Sequence, residues 1–206
     1  KTMTPIDFSD FVASEDVRRE SWRRKFSGGS TMAEAEPNAG HLGVLELDRR
    51  GKLNAVITQN VDGLHQKSGI DDGKVIELHG NANYATCLDC HKRFELSEIA
   101  SIFNQNETVP YCDQCGGILK TATISFGQSM PEVPMARSQE AVMSCDLMLA
   151  MGSSLTVYPA AAFPRIAKQN GARLVIINNE PTDLDAVCDL VLHEPIGLTL
   201  SAALNI

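Results

Sequence analysis

Four of the six cysteines in this 206-residue chain fall into two tight pairs, Cys87-x2-Cys90 and, twenty-one residues on, Cys112-x2-Cys115, with Gly116 and Gly117 behind the second. Two such knuckles can close a tetrahedral thiolate cage around one Zn²⁺ without strain. With four protein ligands no coordination position stays open for water or substrate, so the ion expected here holds the fold and does no chemistry. Four unrelated thiols, or two disulfides, are the competing readings. The paired spacing and the lack of a secretory signal in Lys-Thr-Met-Thr-Pro-Ile-Asp-Phe weigh against both. His91 adjoins the second ligand, but a full thiolate set leaves it no necessary role. Cys145 and Cys188 stand singly beside apolar runs and read as buried fillers.

A second kind of chemistry lies in four short polar clusters. Gln59-Asn60-Val61-Asp62-Gly63-Leu64-His65 gathers amide, carboxylate and imidazole, although Asn-Val-Asp-Gly taken alone is equally a turn. His79-Gly80 supplies an imidazole whose unperturbed pKa, about 6.5, suits proton removal near neutral pH. Gly152-Ser153-Ser154 offers small residues that let backbone N–H groups approach a phosphate, and hydroxyls for ribose or phosphate oxygens. Asn178-Asn179-Glu180 carries amides and a carboxylate suited to ribose hydroxyls. Each cluster is weak alone.

The elements that must position them are legible in outline. Each cluster closes an apolar or β-branched run: Ala55–Asn60, Val75–His79, Asp146–Met151 and Arg173–Ile177 are expected strands, with Asp189–Leu192 a fifth. Helices are expected as one or two surface elements over residues 7–26, stopped by Ser-Gly-Gly-Ser, then from Pro37 to Gly51, Val133–Met143, Pro159–Gln169 and Leu198–Leu204. Such alternation implies a parallel sheet covered by helices, whose ligands bind beyond the carboxyl ends of the strands. Residues Asn81 to Thr123 break the pattern with both cysteine pairs, polar turns and one short helix, Leu96–Phe103, and are expected as an insert.

Net charge is −8, which argues against the basic surface that captures nucleic-acid phosphates and fits basic partners instead. No apolar run approaches the roughly 20 residues of a membrane-spanning helix, so no membrane partner is expected and a cytoplasmic address is the default. Oligomeric state leaves no signal.

The order of these motifs resembles the sirtuin family, from about Ser9 to the C-terminus. That resemblance implies an α/β fold: a Rossmann-like parallel sheet with helices on both faces, formed by residues 1–80 and 124–206, plus a zinc-ribbon module at 81–123. It implies NAD and one structural Zn²⁺ on Cys87, Cys90, Cys112 and Cys115. It also implies removal of an acyl group, acetyl by default, from a lysine of a protein or peptide, giving free lysine, nicotinamide and acylated ADP-ribose. His79 is then the general base. Gln59, Asn60, Val61 and Asp62 match the nicotinamide ribose and nicotinamide pocket, with Asn60 and Asp62 grouped with His79 as catalytic. Gly152, Ser153 and Ser154 match ribose and phosphate contacts, Asn178, Asn179 and Glu180 the adenosine ribose, and Ile196 the adenine. Ile124, Phe126, Gly127 and Val157 match the substrate loop and acyl-lysine tunnel. Ser125 and Gln128 stand where well-known deacetylases carry Phe and Glu, which opens the acyl preference. The family's first strand, Gly-Ala-Gly loop and Ile-Pro-Asp-Phe-Arg segment are not among these residues, and a fragment of a longer protein is the expectation. Mono-ADP-ribosylation and a non-enzymatic zinc-stapled module are the alternatives.

Overall fold

A strand whose every residue is apolar must be covered on both faces, and Leu147–Met151 and Leu174–Ile177 are such runs. The computed structural model describes residues 4–27 and 34–206, so most of the expected Ser-Gly-Gly-Ser stop lies outside the described residues. In chain order the elements are α1 (Phe8–Ala13), α2 (Glu15–Ser27), α3 (Ala39–Arg49), β1 (Val56–Thr58), α4 (Leu64–Lys67), β2 (Val75–Glu77), β3 (Gly80–Cys87), β4 (Arg93–Glu95), α5 (Leu96–Phe103), β5 (Leu119–Thr123), α6 (Glu132–Ser144), β6 (Leu147–Met151), α7 (Phe163–Gln169), β7 (Arg173–Ile177), β8 (Leu190–Leu192) and α8 (Ile196–Leu204). They gather into two compact units. A ribbon unit takes in described residues of 1–35, 60–63 and 79–130; a sheet unit takes in 36–59, 64–78 and 131–206.

In the sheet unit β1 pairs parallel with β2, Val56 opposite Val75, and β6, β7 and β8 form a second parallel ladder, Leu147 opposite Arg173 and Val175 opposite Leu190. One continuous sheet was the expectation. Among the described residues the two ladders do not pair with each other, yet they share a core. Side chains alternate across the second ladder as its period of two requires. Met151, Val175, Ile177 and Leu192 join Val44, Leu45 and Leu200 of α3 and α8 on one face, while Met148, Ala150, Leu174, Ile176 and Val191 pack with Leu155 and Leu184 on the other. Helix α7 contacts β6 and β7 through a side that buries Phe163 and Ala167. Asn38 caps α3, accepting from the Gly40 and His41 amides, one position after the proline expected to open it.

The ribbon unit is an antiparallel sheet, β4-β3-β5, with α5 packed on it. Its core joins Trp22 of α2 to Ala85, Cys87, Phe94, Ile99, Phe103, Cys112 and Leu119. The helices expected to lie on the surface thus bury Phe11 and Trp22, at 2% and 1% exposure, and Trp22 stacks on Phe26 at 5.7 Å. Elsewhere on α2 ion pairs join Arg19 to Glu15 and Asp16, and Glu20 to Arg23 and Arg24, which at a solvent-exposed helix surface contribute little each. Helix α2 completes this core, since Trp22 packs with residues of the three short strands and of α5.

Candidate active site and zinc centre

The four cysteine sulfurs lie within 4.8 Å of one another. Cys87 Sγ is 3.4 Å from Cys115 Sγ, and Cys90 Sγ is 3.6 Å from Cys112 Sγ. Zinc–sulfur bonds of roughly 2.3 Å at tetrahedral angles require sulfur pairs about 3.8 Å apart, so the cage fits the ion. The two knuckles are built alike. His91 N–H donates to Cys87 O and Cys87 N–H to Lys92 O; Gly116 N–H donates to Cys112 O and Cys112 N–H to Gly117 O. Equivalent positions His91 and Gly116 both take left-handed φ, 61° and 75°, so His91 fills the turn position that glycine fills in the other knuckle, and it is exposed.

Electrostatics suit a cation. Burial opposes ionisation of Cys87, but the Cys90 and Asp89 amides and the Cys115 sulfur hold its thiol down at about 7. The Gly117 amide likewise lowers the Cys115 thiol, yet Cys87 and Cys90 outweigh it and push that thiol up to about 12. One negative charge is welcome in the cage and a second is resisted until a cation joins it. Gly117 must lack a side chain, since a Cβ would stand 2.8 Å from Cys87 Sγ and 2.2 Å from Asp89 Oδ2. Cys145, half-buried, has its thiol pushed up by burial, and Cys188 packs beside Leu174 and Ile176, both as apolar fillers would.

Asn60, Val61, Asp62 and His79 all belong to the ribbon unit. The expected strands end earlier than their clusters: β1 stops at Thr58 and β2 at Glu77. His79 sits in the turn between β2 and β3, half-buried. Its carbonyl accepts the Ile124 amide at 2.8 Å, and Gly80 pairs with Thr123. The fit is close. Gly80 has φ +72°, and a Cβ there would lie 1.9 Å from Ala122 O, a backbone atom. Gly80→Ala should therefore destabilise the protein by about 2–3 kcal/mol and displace β5 from His79. Calorimetry with steady-state kinetics checks this, and an unchanged melting temperature would contradict it.

The Asn60–Gly63 segment is tied by backbone to the start of β3. Ala82 N–H donates to Val61 O at 2.7 Å and Asn83 Nδ2 to Asp62 O at 2.8 Å. Ile124, Gly127 and Phe126 follow β5, with Phe126 67% exposed and its carbonyl accepting the Phe8 amide at 2.9 Å. The departing residues Ser125 and Gln128 close a turn on each other: Gln128 N–H donates to Ser125 O and Ser125 N–H to Gln128 Oε1, around Gly127 at φ +76°.

In the sheet unit Gln59 Nε2 donates to Ser153 Oγ at 3.4 Å, which brings the carboxyl ends of β1 and β6 together. Gly152 N–H donates to Ile177 O at the end of β7, and Ile196, first residue of α8, lies against Gly152. Ser154 Oγ meets Thr156 Oγ1 at 2.8 Å, and Asn178 Nδ2 donates to Glu180 O at 2.7 Å. Ser154, Asn179 and Glu180 are exposed beyond the ends of the adjacent strands β6 and β7, and a hydroxyl, an amide and a carboxylate are donors and acceptors of the kind that fit ribose and phosphate oxygens. Val157, half exposed, follows on the next loop. Helix α7 begins at Phe163, later than expected, after a 3-10 turn at Ala160–Ala162.

Three groups escaped the sequence reading. His193 contacts Asn178 O through Nδ1 at 2.9 Å and Asp185 Oδ2 through Nε2 at 3.4 Å, and Asp185 is held low chiefly by the Thr182 hydroxyl. Buried Asn81 accepts the Asn83 amide, shaping the start of β3. Lys120, in β5, is buried at 5% exposure. Nothing in their spacing announces them.

A helix-covered parallel sheet with polar strand ends, joined to a four-thiolate ribbon, defines an α/β protein of the dinucleotide-binding kind with a structural metal module. The chain belongs to the Sir2 family, whose model matches residues 2–159. It is 50% identical to an NAD-dependent protein deacetylase of Rhodopseudomonas palustris over 95% of this chain and 78% of that one. It is 52% identical to NAD-dependent protein deacetylase 1 of Bradyrhizobium diazoefficiens over 95% and 77%. A solved Sir2 structure bound to an acetylated peptide superposes with a TM-score of 0.88 at 31% identity, covering 97% of this chain and 81% of that one. Among the described residues no helix is long and apolar enough to cross a membrane.

Proposed function

We propose that this chain is an NAD-dependent protein-lysine deacylase that releases nicotinamide and O-acyl-ADP-ribose, with an acyl-lysine protein or peptide as its partner. Residues 81–123 are assigned as the zinc module, and 1–80 with 124–206 as the NAD-binding domain. The observation that carries the reading is the turn at His79, half-buried and clamped through its own carbonyl and through Gly80, in the unit that also holds Asn60 and Asp62. A backbone so fixed holds an imidazole in place for proton transfer.

Bound NAD supplies an electrophilic ribose carbon with nicotinamide as the leaving group. Around it, His79 takes a proton from a ribose hydroxyl, while Asn60 and Asp62, with Gln59 and Val61, orient the ribose and nicotinamide. Gly152, Ser153 and Ser154 bond the ribose and phosphates, Asn178, Asn179 and Glu180 the adenosine ribose, and Ile196 takes the adenine. Ile124, Phe126, Gly127 and Val157 are assigned to the acyl-lysine, an apolar set that favours deacylation over ADP-ribosylation of a protein. Zn²⁺ on the four thiolates is structural. No nucleic acid is recognised directly, and the cytoplasm is the assigned compartment.

Acetyl-, succinyl- and longer acyl-lysine peptides incubated with NAD, followed by mass spectrometry, test this. Nicotinamide release that depends on the acyl peptide is expected, greatest for small apolar acyl groups. Transfer of ADP-ribose to protein without loss of the acyl group would replace this reading.

A further inference from the structure

A lysine in a strand ordinarily keeps its ammonium in water. Lys120 does not. Its Nζ donates to Thr121 O at 3.4 Å and, more closely, to Thr123 O, and burial pushes its amine down to about 8. Lys25 of α2 is similar: its Nζ donates to Ala82 O at 2.7 Å and its pKa is lowered by burial. Among the described residues no carboxylate pairs with either amine, so both stand against backbone carbonyls.

The register of β3 on β5 explains why. Gly80 pairs with Thr123 and Ala85 with Thr121, so five steps of β3 run against two of β5, and a regular ladder cannot be completed between them. Within the irregular stretch the Ala82 N–H turns to Val61 O and the Asn83 N–H to Asn81 Oδ1, while the Asn83 side chain adds a donor to Asp62 O. On β3 this leaves the Ala82 carbonyl for another donor, while on β5 the carbonyls of Thr121 and Thr123 point away from β3, on the side opposite Ile118 O and the Ile124 N–H, along the free edge of the sheet. Lys25 meets the one on Ala82, and Lys120 meets those on Thr121 and Thr123. The residue after Thr123 is Ile124, whose amide holds the His79 carbonyl.

We propose that Lys120, assisted by Lys25, is a positioning residue: Lys120 holds the outward carbonyls at the end of β5, next to the Ile124 amide that binds His79, and Lys25 holds the Ala82 carbonyl of β3, which together fix His79 and the Asn60–Gly63 segment. This rests on the deacylase reading for its functional consequence, though not for its geometry. The folded-state pKa of Lys120 lies below the ordinary 10.5. Its charge therefore opposes folding below pH 8, and that opposition fades as pH rises from 8 to 10.5.

The test compares Lys120→Met, Lys120→Arg and Lys25→Met in the intact protein by steady-state kinetics, zinc content and hydrogen–deuterium exchange. Lys120→Met should keep its zinc, lose about 10- to 100-fold in kcat, and hold the acyl-peptide KM within about twofold. It should also exchange the Ile124 amide faster, and Lys120→Arg should recover most of both effects. Unchanged kcat with unchanged exchange at Ile124 overturns the proposal. If Lys120→Met fails to fold, Lys25→Met decides: faster exchange at Ala82 with reduced kcat supports the role, and wild-type exchange there overturns it. Should the wild-type protein remove no acyl group, the deacylase reading fails, and the exchange results alone decide whether the lysines hold these segments.

Discussion

His79→Ala is expected to lower acyl-peptide-dependent nicotinamide release by about 10²- to 10⁴-fold, the range that a positioned general base supplies. The structure separates this loss from damage. What anchors the turn is the His79 carbonyl, which accepts the Ile124 amide, and the neighbouring Gly80, which abuts Ala122 O. Removing the imidazole leaves both in place. Zinc content and exchange at the Ile124 amide should therefore match the wild-type protein. That is the opposite of Lys120→Met, in which exchange accelerates while the imidazole is untouched. Release within about tenfold of wild type would remove His79 from the role of base. A fall matched by faster exchange at Ile124 would make it a structural residue instead.

The sheet unit was legible because burial on both faces writes itself as continuous apolar runs: β7 was expected at Arg173–Ile177 and found there. Helix α5 was likewise found at Leu96–Phe103, where a short amphipathic stretch stands alone between polar turns. The ribbon strands were not legible. Gly80–Cys87 reads Gly-Asn-Ala-Asn-Tyr-Ala-Thr-Cys, with no alternation, because its first half departs from the ladder to hold the 60–63 segment and its last residue is a metal ligand. Trp22 looked like one apolar position of a surface helix, since its partners Ile99 and Leu119 lie far along the chain and no periodicity reports them. The site clusters could be found one by one from strand ends. That Asn60 and His79 fall in the ribbon unit, while Gln59 and Leu78 beside them fall in the sheet unit, is a matter of tertiary packing that spacing does not encode.

Removing the metal should abolish activity although the metal does no chemistry. Cys87 and Cys112, at 0% and 4% exposure, are members of the core that also holds Trp22, Ile99, Phe103 and Leu119. Structural zinc contributes roughly 10–16 kcal/mol to its fold, as much as a typical domain's whole stability of about 5–15 kcal/mol. The ribbon unit cannot survive that loss. Chelation, or Cys112→Ser, should release one zinc per chain and strip exchange protection from β3, β4, β5 and α5. In the sheet unit the cores around Val44 and Leu200 and around Leu174 and Ile176 contain none of the four ligands, so β6, β7 and β8 should keep their protection. Because His79 and Asn60–Gly63 belong to the ribbon unit, deacylation should disappear together with its protection rather than with any change in the sheet. Exchange followed segment by segment during chelation checks the order of events. Protection lost first in β6 to β8, or turnover persisting in a zinc-free chain, would mean that the thiolate cage is not what holds the proposed base in place.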